Sequence, residues 1–124
     1  MPAYSFMKQF IPDIESGIKT HTLRNKRKAP TLPGQLLSLY YAMRTKHCQL
    51  LLKAPCTYRY DVEITYMALT LGNRKVKNLN SFAISDGFPD WPAMVKFWRS
   101  THELPWSGEL ISWGKKDPIE IFCK

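Results

Sequence analysis

Phe10, Ile11 and Ile14 recur at helical spacing and stop at Gly17, which predicts a short helix ending near Ser16 with the glycine as its C-terminal cap. A short strand over residues 4–7 precedes it. Beyond the glycine the period changes to two. Ile18, Thr20 and Thr22 fall to one side, and Lys19, His21, Leu23 and Arg24 mostly to the other. Residues 25–34 hold a basic cluster, two prolines and a glycine, and read as a loop. A strong strand follows over residues 35–44, then a turn at 45–46 and a partner strand over 47–53. Pro55 breaks that run before a third strand over residues 57–69, rich in β-branched and aromatic side chains. Another strand is expected over 74–79. Asp90 reads as the N-cap of a helix reaching about Ser100, with Pro92 in its first turn and Trp91, Met94, Val95 and Trp98 on one face, widened by Phe97. Residues 104–106 and 109–113 read as short closing strands, and 115–124 as an edge strand. Many short strands with few helices predict a mixed α+β domain, a small β-barrel decorated by two or three short helices. No repeat or low-complexity linker divides the chain, so residues 1–124 form one domain.

Charge sharpens this picture. The net charge is +8, and no Asp or Glu occurs between Ser16 and Tyr60, where Lys19, Arg24, Lys26, Arg27, Lys28, Arg44, Lys46, Lys53 and Arg59 all lie. A basic field of that density favours a phosphate-bearing partner. Lys26, Arg27, Lys28, Arg44 and Lys46 are the candidates for gripping a nucleic-acid backbone, and a solvated, solubilising face is the alternative. No apolar run reaches the length of a membrane span and the first residues lack a signal-peptide core, so no membrane partner is expected and the location is read as cytoplasmic. Cys48, Cys56 and Cys123 have none of the paired spacings of a zinc site and read as reduced thiols. His21, His47 and His102 likewise lack ligand spacing, so neither metal nor cofactor is expected.

The ordered set Phe10, Ile14, Gly17, Lys19, Thr20, Thr22 and Arg24 is followed by Pro33-Gly34, Asp86-Gly87-Phe88, Met94 with Phe97, and a closing Gly108-x-Leu-Ile-x-Trp. Together these residues resemble an ASCH domain, a PUA-like β-barrel, over roughly residues 4–113. The resemblance implies a cleft that binds RNA or a nucleoside-type ligand. Some small members of that family are amidohydrolases that remove the acetyl group from N(4)-acetylcytidine, with a lysine, a threonine and a downstream acid as catalytic set. By motif these fall on Lys19, Thr22 and Asp86. The acid here is aspartate where those enzymes use glutamate, and the chain has a longer middle and a heavier basic loop.

The same chemistry can be argued from the side chains. A threonine hydroxyl becomes nucleophilic when a base takes its proton, and a lysine of lowered pKa can serve. A carboxylate such as Asp86 would hold the lysine or pass protons to a leaving amine. Arg24 would clamp a phosphate or carbonyl oxygen. Thr20 and His21 add donors to the same segment, and Phe88 would stack on a base. The expectation is an RNA- or nucleoside-binding protein, with Lys19, Thr22 and Asp86 removing an acyl group from a modified cytidine. A non-catalytic nucleic-acid-binding module and a metal-independent ribonuclease using His21 with Lys19 stand as alternatives. A structural Lys19–Asp86 ion pair, with Thr22 an ordinary strand residue, is the alternative to catalysis.

Overall fold

In the computed structural model, which describes residues 2–124, β1 (Ala3–Phe6) turns Tyr4 and Phe6 inward and leads through a 3-10 turn (Lys8–Phe10) into α1 (Ile11–Ser16). Gly17 ends that helix in the left-handed region at φ 85°, as its position in the pattern demands. The chain then turns back on itself, with the Lys19 N–H donating to the Asp13 carbonyl at 2.9 Å. Regular pairing begins only at β2 (His21–Arg24), three residues later than the alternation suggests.

The expected hairpin is present as β3 (Leu36–Tyr41) and β4 (Gln49–Pro55), and β1 joins it parallel to β3. These three strands make one sheet in the order β1-β3-β4. The second sheet is antiparallel throughout, in the order β2-β8-β5-β6-β7, built from β2, β5 (Tyr58–Ile64), β6 (Leu69–Leu71), β7 (Arg74–Lys75) and β8 (Trp106–Ser112). Among the described residues no strand pairing joins the two sheets. Leu37, Leu39, Ile64, Leu71, Leu110 and Ile111 from these strands are fully buried, together with Phe82 and Met94 from the helices.

Among the described residues four helices decorate the sheets rather than two or three: α1, α2 (Leu79–Ser85), α3 (Trp91–Thr101) and α4 (Pro118–Phe122). Helix α3 starts as expected, with the Asp90 carboxylate accepting the Ala93 N–H at 2.8 Å. Elsewhere the pattern misleads. The single strand expected over 57–69 is the β5–β6 hairpin, whose turn is closed by the Thr65 N–H on the Ala68 carbonyl and by the Thr65 hydroxyl accepting the Met67 N–H. That turn contains no glycine or proline, so nothing punctuates the run. The strand expected over 74–79 stops at Lys75, because Asn78 caps α2 by accepting the Ser81 N–H at 3.0 Å. The two closing strands are one, β8. Gly108 keeps its place in it because the Trp106 ring folds over the space a Cβ would fill. The edge strand expected over 115–124 is helix α4, with Asp117 as N-cap and Pro118 at its first position. No helix among the described residues is long and apolar enough to cross a membrane.

Candidate functional site

Two turns bring the site together. The turn after Gly17 drives Lys19 inward until it is only 3 % exposed. At the far end of α2, Asp86 is the C-cap residue, 4 % exposed, with its N–H on the Phe82 and Ala83 carbonyls. Gly87 follows at φ 99°, and an added Cβ there would sit 2.6 Å from Phe10 Cδ1. Only glycine lets the 86–88 turn lie this close to the Phe10 ring. Lys19 Nζ donates to Asp86 Oδ1 at 2.5 Å and to the Asp86 carbonyl at 2.8 Å. Its charge also lies 5.1 Å from the centre of the Phe10 ring.

Thr22 and Arg24 stand next along β2. Arg24 Nε donates to Thr22 Oγ1 at 3.0 Å and Nη2 donates to the Ser5 carbonyl at 2.7 Å. The guanidinium lies over Phe6 at 4.7 Å and Tyr4 at 5.3 Å. It is thereby fixed between the strands of both sheets. A cleft of about 290 Å³ opens beside these groups, walled by Lys19, Thr22, Arg24 and Asp86 on one side. Its apolar side comes from Phe10, Phe88, Phe97 and Trp98. Phe10, Phe88 and Phe97 contact one another with centroids 5.2–6.3 Å apart. This size lies at the small end of the roughly 300–1,000 Å³ typical of small-molecule sites.

The electrostatics follow from burial. Desolvation drives the Lys19 ammonium below the usual lysine range, opposed by the charge and hydrogen bond of Asp86. Burial alone would raise the Asp86 carboxyl, but Lys19 and His21 outweigh it and hold Asp86 below its ordinary value. Arg24 is likewise lowered by burial. His21 Nε2 lies 3.2 Å from the same Asp86 Oδ1 that Lys19 holds. This is a close approach without hydrogen-bond alignment, so the buried ring nitrogen has no bonded partner.

The structure therefore brings Lys19, Thr22, Arg24, Asp86 and Phe88 to one cleft, across a separation of 67 residues in the case of the Lys19–Asp86 pair. Two of the expected ligand contacts lie elsewhere. Thr20 does not line the cleft; its carbonyl accepts from Trp113 N and Ser112 Oγ, and its side chain lies against Gly114. His21 sits behind Asp86, against Phe82 at 4.9 Å and Phe122 at 6.0 Å. The alternation misplaces both because β2 begins only at His21. Of the basic cluster, Lys26 pairs with Asp61 at 3.3 Å, and Arg27 donates to the Ala3 carbonyl while stacking 4.1 Å over Tyr4. Lys28, Arg44 and Lys46 are exposed.

Sequence reasoning missed the aromatic wall made by Phe10, Phe97 and Trp98, whose helical spacing reads equally well as core. It also missed a second buried carboxylate, Glu109, gripped by Arg59 Nε at 2.9 Å and Nη2 at 2.8 Å. Glu109 lies outside the cleft. Among the described residues no group of three His, Cys, Asp or Glu side chains converges as a metal site would require, and the three cysteines are free. Comparison of the chain with protein-family models, with curated proteins and with solved structures gave no match.

Proposed function

We propose that this cleft binds a nucleoside-type ligand and hydrolyses an acyl group from its exocyclic nitrogen. The buried Lys19–Asp86 pair, set beside Thr22 in the wall of an aromatic cleft, carries this reading. A flat base suits the rings of Phe88, Phe10 and Phe97, and the size of the cleft suits a single nucleoside better than a polymer. In this reading Lys19, as the neutral amine, takes the proton of the Thr22 hydroxyl while Thr22 Oγ1 attacks the acyl carbonyl. Arg24, which already donates to that oxygen, holds negative charge down as the tetrahedral intermediate forms. The Lys19 ammonium returns the proton to the departing amine, and water then releases the acid from the acyl-threonine by the same base.

The fold belongs to the same proposal. The chain would be a PUA-like ASCH domain, its three- and five-stranded sheets being the two halves of a small barrel, working in the cytoplasm without a metal or cofactor. A second reading rests on one observation. Lys19 is held by two hydrogen bonds to Asp86, and a lysine so held stays charged and is a poor base. In that version the site is a binding module for RNA or a nucleotide, and Arg24 takes an anionic or carbonyl oxygen.

Turnover of N(4)-acetylcytidine, followed by chromatography for cytidine, separates the two. The hydrolase version expects cytidine from the wild type and none from Lys19→Ala or Thr22→Val. Absence of cytidine from wild type that still binds RNA or cytidine would leave the binding module.

A further inference from the structure

A lysine that must act as a base is here held by two hydrogen bonds to Asp86. Freeing it requires a place for its proton, and the molecule contains one candidate. His21 Nε2 approaches the very oxygen that Lys19 holds, Asp86 Oδ1, at 3.2 Å, and has no aligned partner of its own. The ring is 2 % exposed, so bulk solvent does not reach it. Its surroundings leave no other charged candidate. Helix α2 presents Phe82 and contains no charged residue. Helix α4 presents Phe122, while its one acid, Glu120, is exposed and paired with Lys124 at 2.7 Å. Across the ladder to β8 the facing residue is Ser112. The charged groups at the imidazole are therefore Asp86 and, through it, Lys19.

We infer that His21 is a positioning residue that takes up, through Asp86 Oδ1, the proton Lys19 must lose to become a base. This rests on the reading of Lys19 as the base. The balance is simple: one N–H bond of Lys19 breaks, Asp86 Oδ1 carries the proton in passing, one N–H bond forms at His21 Nε2, and Asp86 is a carboxylate again at the end. Lysine becomes a neutral amine, imidazole becomes imidazolium, and the net charge of the three groups is unchanged. Asp86 is thus never left buried without a cation, which a simple loss of the lysine proton to solvent would do. The proton returns along the same route once water has released the acid from the acyl-threonine.

The test compares wild type with His21→Gln and His21→Phe. Glutamine can donate to Asp86 but cannot accept a proton from it, whereas phenylalanine keeps the ring packing against Phe82 and Phe122. On N(4)-acetylcytidine, kcat is expected to fall about 100-fold or more in both variants with KM little changed, in line with the loss of general-base catalysis. Full kcat in His21→Gln would overturn the inference, because a hydrogen bond alone would then suffice.

A second measurement needs no turnover. The Lys19 Cε resonance is followed by carbon NMR across pH in wild type and His21→Gln. Coupled sites share their titration steps, so in wild type the Lys19 signal should depart from a single step. In His21→Gln it should move once, at higher pH. Superimposable Lys19 curves would overturn the inference. If no protein turns over substrate while the Lys19 curve shifts as described, the hydrolase reading fails and the proton coupling stands.

Discussion

Replacing Lys19 by methionine keeps most of the side-chain volume and removes the charge, leaving Asp86 4 % exposed and without its cation. Two hydrogen bonds, to Asp86 Oδ1 and to its carbonyl, disappear together. Breaking one side of a buried ion pair typically costs about 3–5 kcal/mol, because the remaining charge stays desolvated. For a domain of this length the unfolding entropy near Tm is about 0.26 kcal/mol/K, so Tm should fall by roughly 12–19 °C at pH 7.

The pH dependence gives the sharper test of the same substitution. In wild type Asp86 is held below its ordinary value, so its contribution is present above about pH 3.9 and fades as pH falls through the folded value. In Lys19→Met only His21 is left to oppose burial, so the Asp86 carboxyl rises from its wild-type value. The native state of the variant then gains a proton as pH falls, and its deficit shrinks. The variant's proton uptake narrows the gap between the two proteins above about pH 4, and the wild-type loss adds to it only below that. Urea unfolding followed by tryptophan fluorescence, at several values between about pH 4 and pH 8, measures that gap. A deficit below about 1 kcal/mol at pH 7, or one flat across this range, would refute the buried-pair account. The double variant Lys19→Met/Asp86→Asn should recover much of the loss, since neither charge is then stranded.

Gly87→Ala should destabilise by about 1–3 kcal/mol, read as a lower urea midpoint, because the position has φ 99° and its Cβ would press on Phe10. The same change should weaken ligand affinity by displacing Asp86 and Phe88; an unchanged midpoint would show that the turn is slack. Neutralising Lys26, Arg27 and Lys28 together should lower the salt slope of RNA binding by about one rather than three. Lys26 already faces Asp61 and Arg27 is spent on Tyr4 and Ala3, which leaves Lys28 free to meet phosphate. Filter binding across a sodium chloride series reads this, and a drop near three would mean that those contacts open for RNA.

What was legible in the chain were the devices that act within a few residues. Gly17 ending α1 and Asp90 starting α3 are local signals with local causes, and both stand where the pattern puts them. Turns closed by hydroxyl and amide side chains escaped. Thr65 turns β5 into β6, and Asn78 starts α2 inside what looks like a strand, without a glycine or proline to announce either. The Asp117-Pro118 cap of α4 carried a readable signal that the apolar alternation of 119–122 masked. The pairing of Lys19 with Asp86 had no local signal at all. Only the ordered likeness of distant motifs brought the two together on paper.

The reason the pair escapes local reading is also the reason the site can work. Lys19 hangs from a turn that leads into one sheet, and Asp86 closes a helix outside both. Arg24 ties the β2 strand of the larger sheet to Ser5 of the smaller through a hydrogen bond, and to Phe6 and Tyr4 through its flat charge. The cleft therefore lies on the seam between the sheets, with walls from β1, β2 and α3. No single element can assemble it, so its polar groups meet only where the elements carrying Phe10, Phe88 and Phe97 pack together. A buried charged pair placed there is held by the whole fold. That placement lets burial bear on the lysine.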